Sequence, residues 1–166
     1  MPQTAHSPQH SASAPALALT IAGSEATGGA GAQADLKTFQ ELGVFGIVAL
    51  TCIVSFDPED DWNHRFFPVP TEILQQQLDA IQGDYPERLR TVKLGMQGSP
   101  EFIRTSAAAL RRAEWDHVVL DPVLICKGQE TGAALDTDNA LREKLLPRAD
   151  VVTPNLFETQ TLAGVD

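Results

Sequence analysis

Short apolar runs alternate along the chain with segments that carry apolar residues at helical spacing. The runs that predict strands are Ala16–Ala22, Phe45–Val54, Thr91–Leu94, His117–Leu120 and Val151–Thr153. Such runs, bounded by turn residues, are typical of strands buried on both faces of a parallel sheet. The predicted helices are Ala30–Leu42, Thr71–Gln82, Glu101–Arg112, Asp136–Leu145 and one that begins near Phe157. This alternation indicates an α/β fold in which right-handed crossovers cover both faces of a mainly parallel sheet.

One long polar stretch, Ser55–Pro70, interrupts the alternation. It reads SFDPEDDWNHRFFPVP and combines acidic, aromatic and histidine residues. We predict a long loop here, and loops of this length inside a compact domain are often functional. Trp62 and His64 either form an aromatic wall of a site or simply pack on the surface, and the residues favour neither alternative.

A glycine-rich loop follows the first predicted strand. The strand ends at Gly23, three further glycines follow at Gly28, Gly29 and Gly31, and a helix then begins. Glycine permits positive φ and close approach of a ligand, and the first turn of a helix offers free N–H groups. A ligand site at the carboxyl edge of the sheet is therefore predicted. The alternative is a tight strand-to-helix turn that binds nothing.

Two familiar glycine motifs describe this loop poorly. A phosphate-binding P-loop requires Gly-Lys-Ser/Thr, but alanines and Gln33 follow Gly29 and Gly31. The stretch from Gly29 to Ala34 formally matches the dinucleotide fingerprint GxGxxA. The match is weak, because Gly23 to Thr27 separate the strand from the motif and no acidic residue ends a second strand at the expected place.

Composition and charge narrow the class of protein. The chain has 166 residues, is 43% hydrophobic and carries a net charge of -10, which suits one domain with a real core and argues against a nucleic-acid partner. Residues 1–15 are expected to be a disordered polar tail, and residues 16–166 the domain. No apolar run is long enough to span a membrane. No signal peptide is recognisable, and the two cysteines, Cys52 and Cys126, indicate a cytoplasmic protein without a disulfide.

Polar residues follow several predicted strands at the edge where ligands bind in such sheets. Asp121 ends an apolar strand, where a partly buried acid is costly unless it is paired or bound to a cation. Asp121 could equally cap the turn before Pro122. Glu158 follows Asn155 by three residues, so both face one side of a helix start. The two could hold hydrated Mg²⁺, or could form an ordinary N-capping arrangement.

Three stretches of the chain resemble one enzyme family. AGSEATGGAGAQADLKTF (Ala22–Phe39) resembles the substrate-side loop of the ribokinase-like vitamin kinases, which reads close to AGSDSSGGAGIQADLKTF. VVLDPVLICKG (Val118–Gly128) and LLPRADVVTPNLFET (Leu145–Thr159) resemble the family's LDPVMVCKG and LLPxAxVxTPNxxEA. The family comprises the pyridoxal/pyridoxine kinases and the hydroxymethylpyrimidine (phosphomethylpyrimidine) kinases. The resemblance implies a three-layer α/β/α fold and ATP-dependent phosphorylation of a hydroxymethyl group.

The same resemblance implies roles for individual residues. Asp121 and Glu158 are expected to help hold Mg²⁺, and Asn155 to lie near the phosphates of ATP. Asp35 is expected to contact the substrate ring. The residues expected around that substrate are Gly23, Ser24, Asp35, Phe56, Val123 and Cys126. A homodimer is also implied.

Two positions bear on the choice of substrate. The pyrimidine kinases usually carry Gln at the position of Phe56 to bond the pyrimidine, and Phe56 can only stack or pack. The surrounding pattern resembles a bacterial branch of pyridoxal kinases in which a lid cysteine, here Cys126, meets the aldehyde of pyridoxal as a hemithioacetal. Lys127 beside it could favour the thiolate. Cys126 could also be inert. Pyridoxal is the expected substrate, and hydroxymethylpyrimidine is the alternative.

The resemblance covers about Leu17 to Val165, whereas family members continue further. Their continuation carries the anion hole, the residue that activates the hydroxyl and most of the nucleotide pocket. The chain is therefore expected to be the N-terminal part of a kinase domain, truncated at its C-terminus and inactive as a kinase by itself. The non-enzyme alternative is a catalytically inactive remnant that keeps the fold.

Overall fold

Six strands form one sheet in the computed structural model, which describes residues 14–124 and 131–165. The strand order is β3-β2-β1-β4-β5-β6, and every neighbouring pair is parallel except β2 and β3. The strand bounds are β1 Leu17–Glu25, β2 Phe45–Asp57, β3 Asn63–Pro68, β4 Thr91–Leu94, β5 His117–Leu120 and β6 Val151–Val152. The parallel order 2-1-4-5-6 requires a crossover between successive strands, and helices supply these connections.

The helices form where apolar residues recur at helical spacing, and residues at their ends help to fix where they begin. Their bounds are α1 Gly31–Glu41, α2 Thr71–Asp84, α3 Pro100–Arg112, α4 Thr131–Lys144 and α5 Leu156–Ala163, with a short 3-10 turn at Leu146–Arg148. Helix α3 begins as its sequence predicts, because the Ser99 side chain accepts a hydrogen bond from the N–H of Phe102 and Pro100 occupies the first turn. In the described residues no helix is both long and apolar enough to cross a membrane.

Side chains on β1 alternate between two helical layers. Leu19 and Ile21 are fully buried in the core cluster that includes α2 and α3. Thr20, between them, is also fully buried, but its hydroxyl donates to Asp35 of α1. Because successive side chains of a strand point to opposite faces, α1 covers one face of the sheet and α2 with α3 the other. The predicted three-layer α/β/α architecture is confirmed.

The prediction of a long loop over Ser55–Pro70 is wrong. Strand β2 continues through Ser55 to Asp57, and after a tight turn β3 returns antiparallel to it, with Ile53 opposite Phe67 and Phe56 opposite His64. Asp61 and Trp62 in the turn have positive φ values of 47° and 58°. An edge strand tolerates the polar residues and proline that argued for a loop, because only one of its sides must pair.

Smaller differences concern the bounds of elements. Strand β1 extends three residues past the predicted end because it keeps pairing with β2 beyond a register shift between Ala22 and Ser24. Helix α4 begins at Thr131 rather than Asp136. Residues 1–13 of the predicted tail lie outside the described residues, whereas the carbonyl of Pro15 accepts a hydrogen bond from Arg88.

Candidate active site

A pocket of about 380 Å³ opens where the parallel strands end. The end of β1, the glycine loop, strands β2 and β3, and the ends of β4 and β5 contribute to its lining. The lining residues are Gly23, Glu25, Thr27, Gly29, Ala30, Gly31, Val54, Phe56, His64, Lys93, Met96, Asp121 and Val123. The volume suits a small ring compound, since ligand pockets start at roughly 300 Å³. Of the predicted site residues, Gly23, Phe56, Asp121 and Val123 line this pocket.

The glycine loop fits against the end of β1 because two positions lack a Cβ. A β-carbon on Gly31, which has φ +60°, would lie 2.2 Å from the carbonyl oxygen of Gly23. A β-carbon on Gly23 would lie 2.6 Å from the sulfur of Cys52. Gly23 also sits at the register shift between β1 and β2, a bulge of the kind that often redirects side chains beside active sites. The loop is thus packed onto the strand end through close backbone contact.

Glu25 fastens the loop from the end of β1. Its carboxylate accepts hydrogen bonds from the N–H groups of Thr27 and Gly29 at 2.8 and 3.0 Å and from the Thr27 hydroxyl at 2.9 Å. The backbone N–H of Thr27, with these further donors, lowers the pKa of Glu25, because hydrogen bonds to the ionised form favour it over the protonated form. The main chain of Glu25 is itself held by the Gln33 side chain at 3.0 Å.

An aromatic pair forms one wall of the pocket. The rings of Phe56 on β2 and His64 on β3 lie with centroids 4.9 Å apart and planes inclined by 53°. The antiparallel hairpin places them opposite each other. Trp62 lies at the turn and is 64% exposed. Of the two alternatives for this stretch, the aromatic wall therefore holds for His64.

Lys93 connects two carboxylates at the floor of the pocket. Its ammonium nitrogen lies 3.1 Å from Oδ2 of Asp35 and 3.4 Å from Oδ2 of Asp121. Asp35 also accepts a hydrogen bond of 2.6 Å from the buried Thr20 hydroxyl. The carboxylate expected to contact a substrate ring is therefore engaged with Thr20 and Lys93, and Lys93 is the member of this pair that lines the pocket.

Buried polar contacts hold the strand ends in place behind the pocket. The Gln97 amide donates to the carbonyls of Ile21 and Gly95, both at 3.1 Å, and accepts from Ser106 of α3 at 2.7 Å. The Ser24 hydroxyl accepts a hydrogen bond of 2.7 Å from Gln33. Cys52 is fully buried beneath Gly23, and burial raises the pKa of its thiol, so this thiol stays neutral.

Asn155 and Glu158 form a capping box at the start of α5. The Asn155 side chain accepts from the N–H of Glu158 at 2.9 Å, and Glu158 accepts from the N–H of Asn155 at 2.8 Å. The capping alternative is therefore observed for these residues. Glu158 is 8% exposed. Within residues 14–124 and 131–165, no three His, Cys, Asp or Glu side chains are grouped as a ready-made metal site. Cys126, the predicted lid thiol, lies outside the described residues.

A family model described as phosphomethylpyrimidine kinase matches residues 25–166, most of the chain. The chain belongs to the phosphomethylpyrimidine kinase family. It is 46% identical to the pyridoxine kinase of Bacillus subtilis over 149 residues, which are 90% of this chain and 54% of that protein. It is 42% identical to the hydroxymethylpyrimidine/phosphomethylpyrimidine kinase of Haemophilus influenzae over 147 residues, which are 89% and 53% of the two chains. The chain thus spans about half the length of these relatives.

Solved structures of two pyridoxal kinases have the same fold. An ADP complex of Bacillus subtilis pyridoxal kinase superposes with a TM-score of 0.85 at 44% identity, covering 92% of this chain and 57% of that one. Pyridoxal kinase from Staphylococcus aureus, in complex with AMP-PCP and pyridoxal, superposes with a TM-score of 0.81 at 40% identity, covering 92% and 52%. The predicted ribokinase-like fold is confirmed by these similarities.

Several residues that line the pocket of this family member were not anticipated from the sequence. They are Glu25, Thr27, Val54, Lys93 and Met96. Lys93 carried a signal, because it is a charged residue inside the otherwise apolar strand Thr91–Leu94. A buried or half-buried charge in such a strand requires a partner, and the partner is usually functional or structural. His64 was one of two residues considered for an aromatic wall, but its place opposite Phe56 depends on the hairpin that the sequence pattern did not predict.

Proposed function

We propose that the protein containing this chain phosphorylates the 5'-hydroxymethyl group of pyridoxal, pyridoxine or pyridoxamine with ATP. The observation that carries the proposal is the pocket wall formed by Phe56 and His64, which suits a flat ring. Aromatic rings stabilise such ligands through offset or tilted contacts. The sequence similarity to pyridoxine kinases supports the same substrate class.

The chain's residues suit the acceptor side of this reaction. The apolar lining and the ring pair would orient the vitamer, and the glycine loop would exclude water from one side of it. Lys93 and Asp121 are the charged groups at the floor of the pocket that could meet the reacting hydroxymethyl group and the incoming phosphate. In phosphoryl transfer, catalysis rests on such positioning and on charge neutralisation.

The residues present fit a hydrated Mg²⁺ ion. Mg²⁺ keeps several waters and takes one or two carboxylates, and the side chain of Asp121 is 37% exposed at the pocket. Glu158 follows the neighbouring strand β6, and the box with Asn155 fixes the orientation of its carboxylate. Asp121 and Glu158 would hold the ion, and Asn155 would lie toward the nucleotide phosphates. When bound, Mg²⁺ would neutralise charge on the phosphates of ATP.

A second candidate function is phosphorylation of hydroxymethylpyrimidine. The family description and the 42% identity to hydroxymethylpyrimidine/phosphomethylpyrimidine kinases favour it. This substrate carries an amino group and ring nitrogens that call for a hydrogen-bonding partner, and Phe56 offers none. Phe56 therefore favours the vitamin B6 substrate.

A comparison of the two substrates tests the proposal. With the protein expressed from its complete reading frame, we expect a higher kcat/KM for pyridoxal than for hydroxymethylpyrimidine.

Phe56→Gln should lower kcat/KM for pyridoxal about tenfold, because an aromatic contact and its apolar area are lost. Phe67→Gln is the matched control, since Phe67 lies on β3 and is 56% exposed. Faster turnover of the pyrimidine would favour the second candidate, and turnover of neither substrate would favour the inactive remnant.

Cys126 is proposed to be the lid thiol that meets the pyridoxal aldehyde. Its thiolate would add to the aldehyde carbon, and the carbonyl oxygen would take up a proton to give a hemithioacetal. We expect Cys126→Ala to weaken pyridoxal binding several-fold in calorimetry and to leave pyridoxine binding unchanged, because pyridoxine has no aldehyde. Equal effects on the two vitamers would contradict this role.

Three further expectations remain predictions. Residues 1–166 alone are expected to lack ATP-dependent kinase activity, and phosphorylation of pyridoxal by that polypeptide would contradict this. The complete gene product is expected to be a homodimer, and light scattering would measure its molar mass. It is also expected in the cytoplasm, and cell fractionation would test that location.

A further inference from the structure

A chain of polar contacts at the floor of the pocket joins β1, α1, β4 and the residue that follows β5. The Thr20 hydroxyl of β1 donates to Asp35 of α1 at 2.6 Å, and Lys93 of β4 donates to the same carboxylate oxygen at 3.1 Å. Lys93 then lies 3.4 Å from Asp121, which follows β5. Each of these four residues comes from a different element, so the contacts exist only in the assembled sheet.

The two acidic partners of Lys93 differ in how firmly they are held. The Asp35 side chain is 17% exposed and accepts from both Thr20 and Lys93. The Asp121 side chain is 37% exposed, lines the pocket and meets Lys93 at the longer distance. Gly95 leaves room for the ammonium, since a β-carbon there would lie 3.0 Å from Nζ of Lys93. Lys93 is therefore anchored on the side of Asp35 and faces Asp121 on the open side.

We propose that Lys93 is a positioning residue for Asp121. Its ammonium pairs with the Asp121 carboxylate while no divalent ion is bound, and the pairing weakens when a divalent ion binds there. This rests on the proposed function, in which Asp121 helps to hold Mg²⁺. The Lys93 ammonium contacts two carboxylates, so Asp35, Lys93 and Asp121 together carry a formal net charge of -1. This remaining negative charge attracts a second cation. A divalent ion at Asp121 competes with Lys93 for this carboxylate, and Lys93 can remain on Asp35.

Removal of Lys93 should change the affinity for a metal ion in the direction opposite to that expected of ordinary structural damage. Lys93 repels a divalent ion near Asp121, so its removal should tighten binding of the metal alone. A unit charge and a divalent ion about 8 Å apart in surroundings of high dielectric interact strongly enough to change affinity about fivefold. Removal of Asp35 should act the other way, because Lys93 would then have Asp121 as its remaining acidic partner in this trio.

Binding of Mn²⁺ alone, measured by electron paramagnetic resonance of the free ion, tests the proposal on the complete gene product. We expect Lys93→Met to bind Mn²⁺ about fivefold more tightly than the wild type and Asp35→Asn about threefold less tightly. Lys93→Arg should keep the wild-type affinity, because it restores the positive charge. Lys144→Met is the matched control, since Lys144 is 49% exposed on α4 and pairs with Glu143. Asp121→Asn defines the background from other sites.

The outcomes separate this inference from the function on which it rests. If Asp121→Asn abolishes binding but Lys93→Met leaves the affinity unchanged or weaker, the positioning role of Lys93 is overturned and Asp121 remains a metal ligand. If Asp121→Asn binds Mn²⁺ as the wild type does, the metal assignment of the proposed function fails together with the inference. Tighter binding by Lys93→Met, with weaker binding by Asp35→Asn, supports the role.

Discussion

At the scale of single residues, several side chains shape the pocket by bonding to the main chain. Glu25 ties the glycine loop to the end of β1 through the N–H groups of Thr27 and Gly29. Gln97 ties the ends of β1 and β4 together in the same way. Such bonds replace the water that the loop N–H groups would otherwise need. The carboxylate of Glu25 therefore fixes the conformation of the glycine loop.

Glu25→Gln should destabilise the protein in a pH-dependent manner. The pKa of Glu25 is lowered in the folded state from the ordinary value of 4.5, chiefly by the Thr27 N–H. Its contribution to the free energy of unfolding is then fully present above pH 4.5 and is lost as the pH falls through the lowered pKa. Urea unfolding at neutral pH and at several values below 4.5 should show the gap between wild type and variant shrinking with acid.

Glu41→Gln is the matched control for this experiment, since Glu41 lies exposed at the end of α1. We expect little change in its unfolding free energy at any of these pH values. A gap between wild type and Glu25→Gln that stays constant from neutral to acid pH would contradict the assignment.

At the scale of elements, the glycine loop and the β2–β3 hairpin each form a wall of the pocket. The loop reaches its position because Gly31, at positive φ, approaches the carbonyl of Gly23. The hairpin reaches its position because β2 continues past the register shift with β1 and pairs with β3. Both walls therefore depend on backbone geometry at the end of β1, and a change there should disturb both.

Gly31→Ala should lower the free energy of unfolding by about 1–3 kcal/mol, because it forces a side chain into positive φ and against the Gly23 carbonyl. Gly83→Ala is the control. Gly83 lies in α2, where an added β-carbon would have open space around it, so the same substitution there should stabilise by about 0.5–1 kcal/mol. Urea unfolding with linear extrapolation measures both values. Equal stability of Gly31→Ala and the wild type would show that the loop can move away without cost.

At the scale of the whole molecule, the strand order decides which residues share the pocket. Strands β2, β1, β4 and β5 are consecutive in the sheet, so Phe56, Gly23, Lys93 and Asp121 meet at one edge although they lie far apart in sequence. In open parallel sheets this edge is where ligands bind. The apolar core behind it is built from alternate residues of the same strands, which holds the edge rigid.

Much of this arrangement follows from local sequence alone. Strands β4 and β5 have the bounds that their apolar runs predict, and Ser99 caps α3 as expected. These features are local, because periodicity and capping depend on residues a few positions apart. The family motifs likewise point to the glycine loop and to Asp121, and both line the pocket.

What only the tertiary structure decided concerns partners distant in the chain. The sequence by itself left these partners unassigned. It did not indicate that Asp35 would bond to Lys93, 58 residues away, or that His64 would face Phe56 across a hairpin. The physical reason is that an ion pair or an antiparallel register is selected by the assembled sheet, whereas apolar periodicity is set by the chain itself.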